Sequence, residues 1–551
     1  MKPTLPQQTV LDTIFLDLNQ NFVVQGVPGA GKTTLISMVA NRFLELGVTD
    51  ILALTFSRSL AEDMGKKVTN GVTKTAHAYM YDALRKHLKL HHQLVSKGQL
   101  VRQPDNTSRY SNADDSLLQK ISYALVRTNF GLIDKSKVPT EISKEFYAQH
   151  YGLIGCVNAI RTAGLNYTTE ALNIHEKFDS KFGVQTVNDA LTVLKTLTDR
   201  YFLRGVVDFM GMLYLPLIHP EVHNDIYSPQ ILILDEINDN TPLLENAYRI
   251  ISRKSRQVIA VGDKKQTIHI WAGAKANGFE TLADYFQAKM LTYDFTFRVP
   301  KAMCRYLNNS GLDIRIKPYA GNIEGAIIEN LSYHDFLNKV YHGDMVLCRY
   351  NRGNRVLHTL QKVSMDLLLK RKRVAFRGST HIEDIQELIT LSQPILKSQA
   401  ATKKAFKDHV SKSVANAIAQ EYSNKDLTKD NYRCEMLREK LESFILYFDF
   451  FCATQVFFDV QKFIPFLEKM YVDTDDAIQI MSGHRCKGLE TESKAFILHF
   501  EEMVNTANDT TADMLVRVEA HNLALVMLTR SKDITYIVEG TLPQYFPEPK
   551  A

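Results

Sequence analysis

No two cysteines of this chain fall at the spacing of a zinc knuckle or a redox pair. The six, Cys156, Cys304, Cys348, Cys434, Cys452 and Cys486, are scattered, which argues against a disulfide scaffold and points to a reducing compartment. No run reaches the roughly 18 apolar residues that a membrane span requires. The opening MKPTLPQQTVLD lacks the apolar centre of a secretory signal. One stretch, FILYFDFFCATQVFF, comes near to a span, but Asp449 and Gln455 interrupt it and a buried helix fits it better. The expected location is the cytoplasm, or the nucleus in a eukaryotic source, with no membrane partner. Charge of one sign is not in great excess either. Lys and Arg number 66 against 61 Asp and Glu, which permits a nucleic-acid partner without demanding one. Tryptophan is scarcest: one indole, Trp271, among 551 residues, at the end of GDKKQTIHIW. That length exceeds a single ordinary core and implies about three or four domains, some discontinuous.

The first chemical anchor is NFVVQGVPGAGKTTLISMVANRFLEL, an apolar strand, a glycine-rich loop and an amphipathic helix. The loop fits GxxxxGK[ST] at Gly26, Gly31, Lys32 and Thr33. In such a loop backbone N–H groups and the helix N-terminus cradle phosphates, the lysine reaches the outer phosphates, and the hydroxyl binds magnesium. The segment PQILILDEIND supplies the carboxylates: Ile231 to Leu234 read as a buried parallel strand ending in Asp235 and Glu236. Asp235 would hold magnesium through water and Glu236 would polarise an attacking water. About 200 residues separate Lys32 from Asp235, so a further domain is inserted between them.

With QVIAVGD and GDKKQ following in that order, the chain resembles a superfamily 1 DNA helicase of the UvrD/Rep/PcrA type. ILALTFSRSLAEDM is similar to the family's TF element (Thr55, Phe56), TKTAHAYMYDAL to its TxH element (Thr75, His77), and VVDFMGML to the DF segment that returns from the inserted domain. LTYDFTFRVPKAMCRYLN resembles the fourth motif, with Arg298 at its arginine and Phe297 where tyrosine is usual. DMVLCRYNRGNRVL, which contains Arg349, and VAFRGSTHIEDIQELI resemble connecting strands of the second motor domain. IQIMSGHRCKGLE matches the fifth motif at His484, Lys487, Gly488, Leu489 and Glu490, and TRSK carries Arg530 of the sixth.

The resemblance implies ATP and Mg2+ as cofactors. It implies nucleotide contacts from Gln7, Gly26, Gly29, Gly31, Lys32, Thr33, Thr34, Phe297, Gly488 and Glu490. The implied catalytic set is Lys32, Asp235, Glu236, Gln266, Arg298 and Arg530, with Thr33 and Asp235 at the metal. Thr55, Phe56, Thr75, His77, Trp271, Arg349 and His484 would meet DNA. Gln266 would sense the terminal phosphate or its attacking water while Trp271 stacks on a base, a sequence-tolerant contact. Other readings stay open at single positions: a core anchor for Trp271, salt bridges for Arg298 and Arg530, Gln8 in place of Gln7, and a plain helix start for both glutamines. Three positions depart from the pattern: Asn238 replaces glutamine, Ala272 replaces the arginine after the tryptophan, and His269 replaces tyrosine.

The expected fold is α/β, with two RecA-like P-loop motor domains, each a parallel sheet flanked by helices and each bearing a mainly helical insertion. The first would comprise residues 1–85 and 200–295 with 86–199 inserted. The second would comprise 296–390 and 471–551, with only about 80 residues, 391–470, inserted. RKHLKLHH reads as a solvated or DNA-facing basic helix rather than a metal site, and KRKR at 370–373 as a solvated turn. With about twenty residues left after Arg530, no fused nuclease is expected.

The function expected from these features is ATP-dependent translocation on single-stranded DNA with helicase activity, 3′ to 5′ by resemblance. A monomer or weak oligomer would work at single-strand/duplex junctions, among repair, replication or recombination proteins. A translocase that strips proteins from DNA with little unwinding is the nearest rival. A P-loop small-molecule kinase leaves Arg298, Arg530 and Trp271 unexplained, and a non-hydrolysing switch conflicts with intact Lys32, Glu236 and both arginines.

Overall fold

The computed structural model describes residues 3–55, 58–68, 71–96, 117–132, 138, 142–204, 206–312, 314–349, 359–377, 385–386, 403–422, 432–454, 462–472, 474–547 and 549. Two compact units divide the chain, Met1–Asp294 and Phe295–Ala551. Both are mixed α/β, with parallel sheets flanked by helices.

In the first unit short apolar runs become strands: β1 (Phe22–Gly26), β2 (Ile51–Thr55), β3 (Val72–Thr75), β4 (Ile231–Leu234), β5 (Gln257–Gly262) and β6 (Lys289–Tyr293). They lie in the order β3-β2-β4-β5-β1-β6, every neighbouring pair parallel. Every residue of β2, β4 and β5 is buried, as expected of central strands covered on both faces. The helices are α1 (Leu5–Leu16), α2 (Lys32–Glu45), α3 (Arg58–Lys67), α4 (Ala76–Ser96), α5 (Leu117–Asn129), α6 (Ser143–Thr162), α7 (Ala171–Phe182), α8 (Val184–Arg204), α9 (Gly211–Ile218), α10 (Pro242–Ser252) and α11 (Gly278–Tyr285). Helix α2 buries Leu35, Ile36, Val39, Ala40 and Phe43, one stripe at helical spacing. Helix α10 starts where Thr241 accepts a hydrogen bond from the Leu244 N–H and Pro242 takes the first turn. One apolar core runs without a break from Leu232 and Leu234 of the sheet to Val157, Ile160 and Leu194 of the helices between β3 and β4.

The second unit begins with the short ladder β7 (Phe295–Thr296) and β8 (Lys317–Pro318). Its main sheet contains β9 (Ala326–Leu331), β10 (Met345–Cys348), β11 (Val374–Phe376), β12 (Ile478–Ser482), β13 (Ala495–Leu498) and β14 (Ile534–Val538). The order is β11-β12-β10-β13-β14-β9, again all parallel. Its helices are α12 (Lys301–Asn309), α13 (Tyr333–Lys339), α14 (Leu360–Leu369), α15 (Lys403–Tyr422), α16 (Tyr432–Thr454), α17 (Phe463–Met470), α18 (Phe500–Asn508) and α19 (Met514–Leu528). The aromatic stretch that skirted a membrane reading lies, as far as Thr454, in α16, where Phe444, Tyr447, Phe448 and Phe451 recur on one buried face. Asp449 sits outside that stripe and accepts from Lys407 of α15 at 2.6 Å, which explains a carboxylate within an apolar run. Residues 455–461 lie outside the described chain. No described helix is long and apolar enough to cross a membrane. The KRKR segment forms a turn between α14 and β11, in which Lys372 donates to the Val340 carbonyl at 2.6 Å and Arg373 pairs with Asp476 at 2.9 Å.

Candidate nucleotide and nucleic-acid site

Strand β1 ends at Gly26, and the next turns reverse the chain into α2. Gly29 and Gly31 hold φ of 68° and 74°, a left-handed backbone that residues with a Cβ adopt at a cost. The Val27 N–H donates to the Tyr293 carbonyl at 3.2 Å, and the Ala30 N–H to the Val27 carbonyl at 3.1 Å. Gly31 caps α2 and has no side chain to cap its first N–H groups, which suits an anion-binding helix end. A Cβ on Gly26 would stand 3.1 Å from Cγ and Cδ of Lys32, so the absent side chain makes room for the lysine stem. Thr33 and Thr34 follow in the first turn, half-buried.

Beside this loop, β4 delivers the acidic pair. Asp235 is buried, its N–H donating to the Leu54 carbonyl at 2.8 Å and its Oδ1 accepting from the Glu236 N–H at 2.9 Å. Glu236 has φ 54° and ψ 42°, left-handed without being glycine. Backbone strain of this kind costs on the order of 1–3 kcal/mol and persists only where the surroundings enforce it. Strand β5 then brings Asp263, which the sequence reading did not single out. Burial raises its pKa, the Lys32 ammonium opposes that rise, and the Glu236 carboxylate adds to it, so the three charges share one neighbourhood. The Gln266 side chain donates to Asp263 Oδ2 at 2.6 Å.

Asn238, where the family pattern has glutamine, is buried with its amide engaged at both ends. Its Oδ1 accepts from the Asp263 N–H at 3.1 Å, and its Nδ2 donates to the Gln266 carbonyl at 3.3 Å. A Cβ on Gly262 would come within 2.9 Å of Asn238 Oδ1 and of the Phe279 ring, so the glycine is what lets the shorter amide reach the loop. This set suits a magnesium-bound nucleoside triphosphate: a hard carboxylate and hydroxyl for the cation, an ammonium and a glycine loop for the phosphates.

At the adjoining strand ends, Thr55 is buried and Phe56 lies outside the described residues. Thr75 Oγ1 accepts from the Ala78 N–H at 3.2 Å, fixing the start of α4. His77 stacks on Phe209, ring centroids 3.9 Å apart and planes 12° from parallel. Phe209 is half-exposed, and its only signal in the sequence was its place in the DF segment. Trp271 lies in a single 3-10 turn, Ile270–Ala272, closed by Gly273 at φ 93°; the Trp271 side chain is outside the described set. Burial pushes the His77 imidazole from 6.5 down to about 4. Between those values the unfolded chain binds more protons than the folded one, so stability falls as the pH drops from 6.5 towards 4. Urea denaturation across this range should show that loss, and His77→Phe should flatten it; parallel pH profiles for the two proteins would refute the assignment.

In the second unit, Arg298 Nε donates to Glu490 Oε2 at 2.6 Å, and Lys532 reaches Glu490 Oε1 at 2.8 Å. Burial would raise the Glu490 carboxyl, but Arg298 and Lys532 outweigh it and hold it below its ordinary value. Arg530 is buried and donates to the carbonyls of Val526 (2.6 Å) and Leu489 (3.0 Å). The structure thus joins Arg530 to the turn of Gly488, whose φ is 80°. Phe297 meets the Tyr319 ring at 5.0 Å, His484 Nε2 lies 3.2 Å from Glu519, and Arg349 donates to the Glu502 carbonyl at 3.3 Å. Near the N-terminus of the chain, Gln7 is buried and its Oε1 accepts from the Thr4 N–H at 3.0 Å, whereas Gln8 is exposed and bonded to Asp12.

A family model described as the UvrD/REP helicase N-terminal domain matches residues 8–287. No curated protein matches the chain.

Proposed function

Because the chain belongs to the UvrD/Rep helicase family, we propose that it couples ATP hydrolysis to 3′-to-5′ stepping along single-stranded DNA and opens duplex at junctions. The observation that best supports this reading is a shared edge. Strands β1, β4 and β5 end at the phosphate loop, the acidic pair and the Asp263–Gln266 bond, while neighbouring β2 and β3 end at Thr55 and Thr75. The residues proposed for nucleotide chemistry and those proposed to contact the strand thus follow neighbouring strands at the carboxyl ends of one parallel sheet, where open α/β folds take their ligands.

In this mechanism Lys32 and the α2 N-terminus hold the phosphates, and Thr33 and Asp235 hold the cation. A magnesium ion held by Thr33 and Asp235 would supply positive charge for the phosphoryl oxygens. Glu236 takes the proton of the attacking water, Gln266 exchanges its bond to Asp263 for one to that water or the terminal phosphate, and Arg298 and Arg530 supply further positive charge. Gln7 reads the nucleotide base, with Phe297, Gly488 and Glu490 adding nucleotide contacts. Phe56, His77 and Trp271 grip bases, joined by Thr55, Thr75, Arg349 and His484.

Steady-state ATPase assays with and without single-stranded DNA test the reading. Strong stimulation is expected, and Trp271→Ala should weaken half-saturation by DNA by about 1–3 kcal/mol. Wild-type turnover indifferent to nucleic acid would send the search to metabolite acceptors. One observation favours a second reading: position 272 is an exposed alanine where the family has arginine, one grip fewer for forcing a duplex apart. Forked-duplex unwinding measured beside streptavidin displacement separates a helicase from a translocase that only clears proteins.

A further inference from the structure

Outside the site just described, an ion pair is built into the core of the first unit. Arg161, in the last turn of α6, meets Asp208 with both guanidinium nitrogens, Nη1 donating to Oδ2 at 2.7 Å and Nη2 to Oδ1. The relative exposures are 1% and 7%, so both charges have left water. Arg161 Nε has no hydrogen-bond partner among the described residues, and the pair lines a small cavity with Thr198, Gly211 and Tyr214. A well-packed apolar pair would usually be at least as stable there, so affinity between the charges does not by itself account for the arrangement.

The two residues join what the proposed mechanism must couple. Next to Arg161, Thr162 packs on the loop that carries Gln266 and Trp271: a Cβ on Gly273 would come 2.3 Å from Thr162 Cγ2. Next to Asp208, Phe209 stacks on His77, and Asp208 Oδ1 accepts from the Gly211 N–H at 3.0 Å, fixing the start of α9. A Cβ on Gly211 would fall 2.7 Å from that same carboxylate, so the backbone is shaped around it.

We infer that Arg161 and Asp208 are positioning residues that hold the His77–Phe209 ring pair in register with the Gln266–Gly273 loop, so that DNA engaged at the rings alters the phosphate end of the site. The inference rests on the helicase reading above. The forked, two-nitrogen geometry fixes α6 against the DF segment in angle as well as distance, which an apolar contact does not do.

The test uses the full chain with ATP and a dT oligonucleotide, comparing wild type, Arg161→Lys and the double variant Arg161→Met/Asp208→Leu. The double variant removes both charges together and so leaves neither stranded. Its DNA-free turnover should match wild type, while the oligonucleotide concentration for half-maximal stimulation rises by about 5-fold or more. Arg161→Lys keeps the charge, loses the fork, and should shift half-saturation in the same direction. Emission from Trp271, the only indole, reads the loop directly, and its response to the oligonucleotide should shrink in both variants. Wild-type half-saturation and emission in a folded double variant would overturn the inference alone; if that variant does not fold, the same result in Arg161→Lys does so. A wild-type enzyme that ignores the oligonucleotide overturns the helicase reading and this inference with it.

Discussion

Glu236→Gln is expected to lower ATP turnover by about 10²–10⁴-fold, the range a positioned general base contributes, while nucleotide still binds. The glutamine keeps the shape of a side chain held at φ 54° but cannot accept the proton of the attacking water. Single-turnover hydrolysis and fluorescent-nucleotide titration, run together, check both halves. A variant that lost binding in proportion to turnover would make Glu236 part of the phosphate cradle rather than the base. Asp263 sharpens the expectation. The Glu236 charge now raises the buried Asp263 carboxyl, so its removal should lower that carboxyl and strengthen the ionised acceptor of the Gln266 amide.

Arg161→Ala should cost about 3–5 kcal/mol of stability, because it strands the Asp208 carboxylate in the core. This is far more than a surface ion pair, worth roughly 0–1 kcal/mol, would lose. Urea denaturation of wild type and variant measures it. A loss below about 1 kcal/mol would mean that water reaches Asp208 once the guanidinium is gone. The double variant of the preceding section should recover most of the loss, which separates the stability of the helical segment from the response to DNA.

What the sequence made legible was local in character. The phosphate loop, the ILIL strand and its acidic pair, and the apolar face of α16 are patterns within one or two turns of chain, and the protein forms each of them. The family match over residues 8–287 agrees with the resemblance read from the motifs. Less legible were contacts between distant segments. Asp263 and Gln266 are three residues apart, yet their bond depends on Asn238 and Gly262 closing around them. Nothing periodic links Arg161 to Asp208. Nor does any spacing show that the Arg530 guanidinium donates to carbonyls at the end of α19 and in the Gly488 turn, contacts set by how that helix packs.

The strand order also bears on synthesis. Strand β1, which ends at Gly26, lies between β5 and β6, which are made later and begin at Gln257 and Lys289. Until those residues emerge, the strand leading into the phosphate loop has no neighbour on either side, and the Tyr293 carbonyl that receives the Val27 N–H does not exist. A nascent chain that stops short of Gln257 has the strands to pair β3, β2 and β4, but not those that flank the nucleotide-binding loop. The exposed β1 segment must therefore be kept from mispairing for most of the time this unit takes to be made.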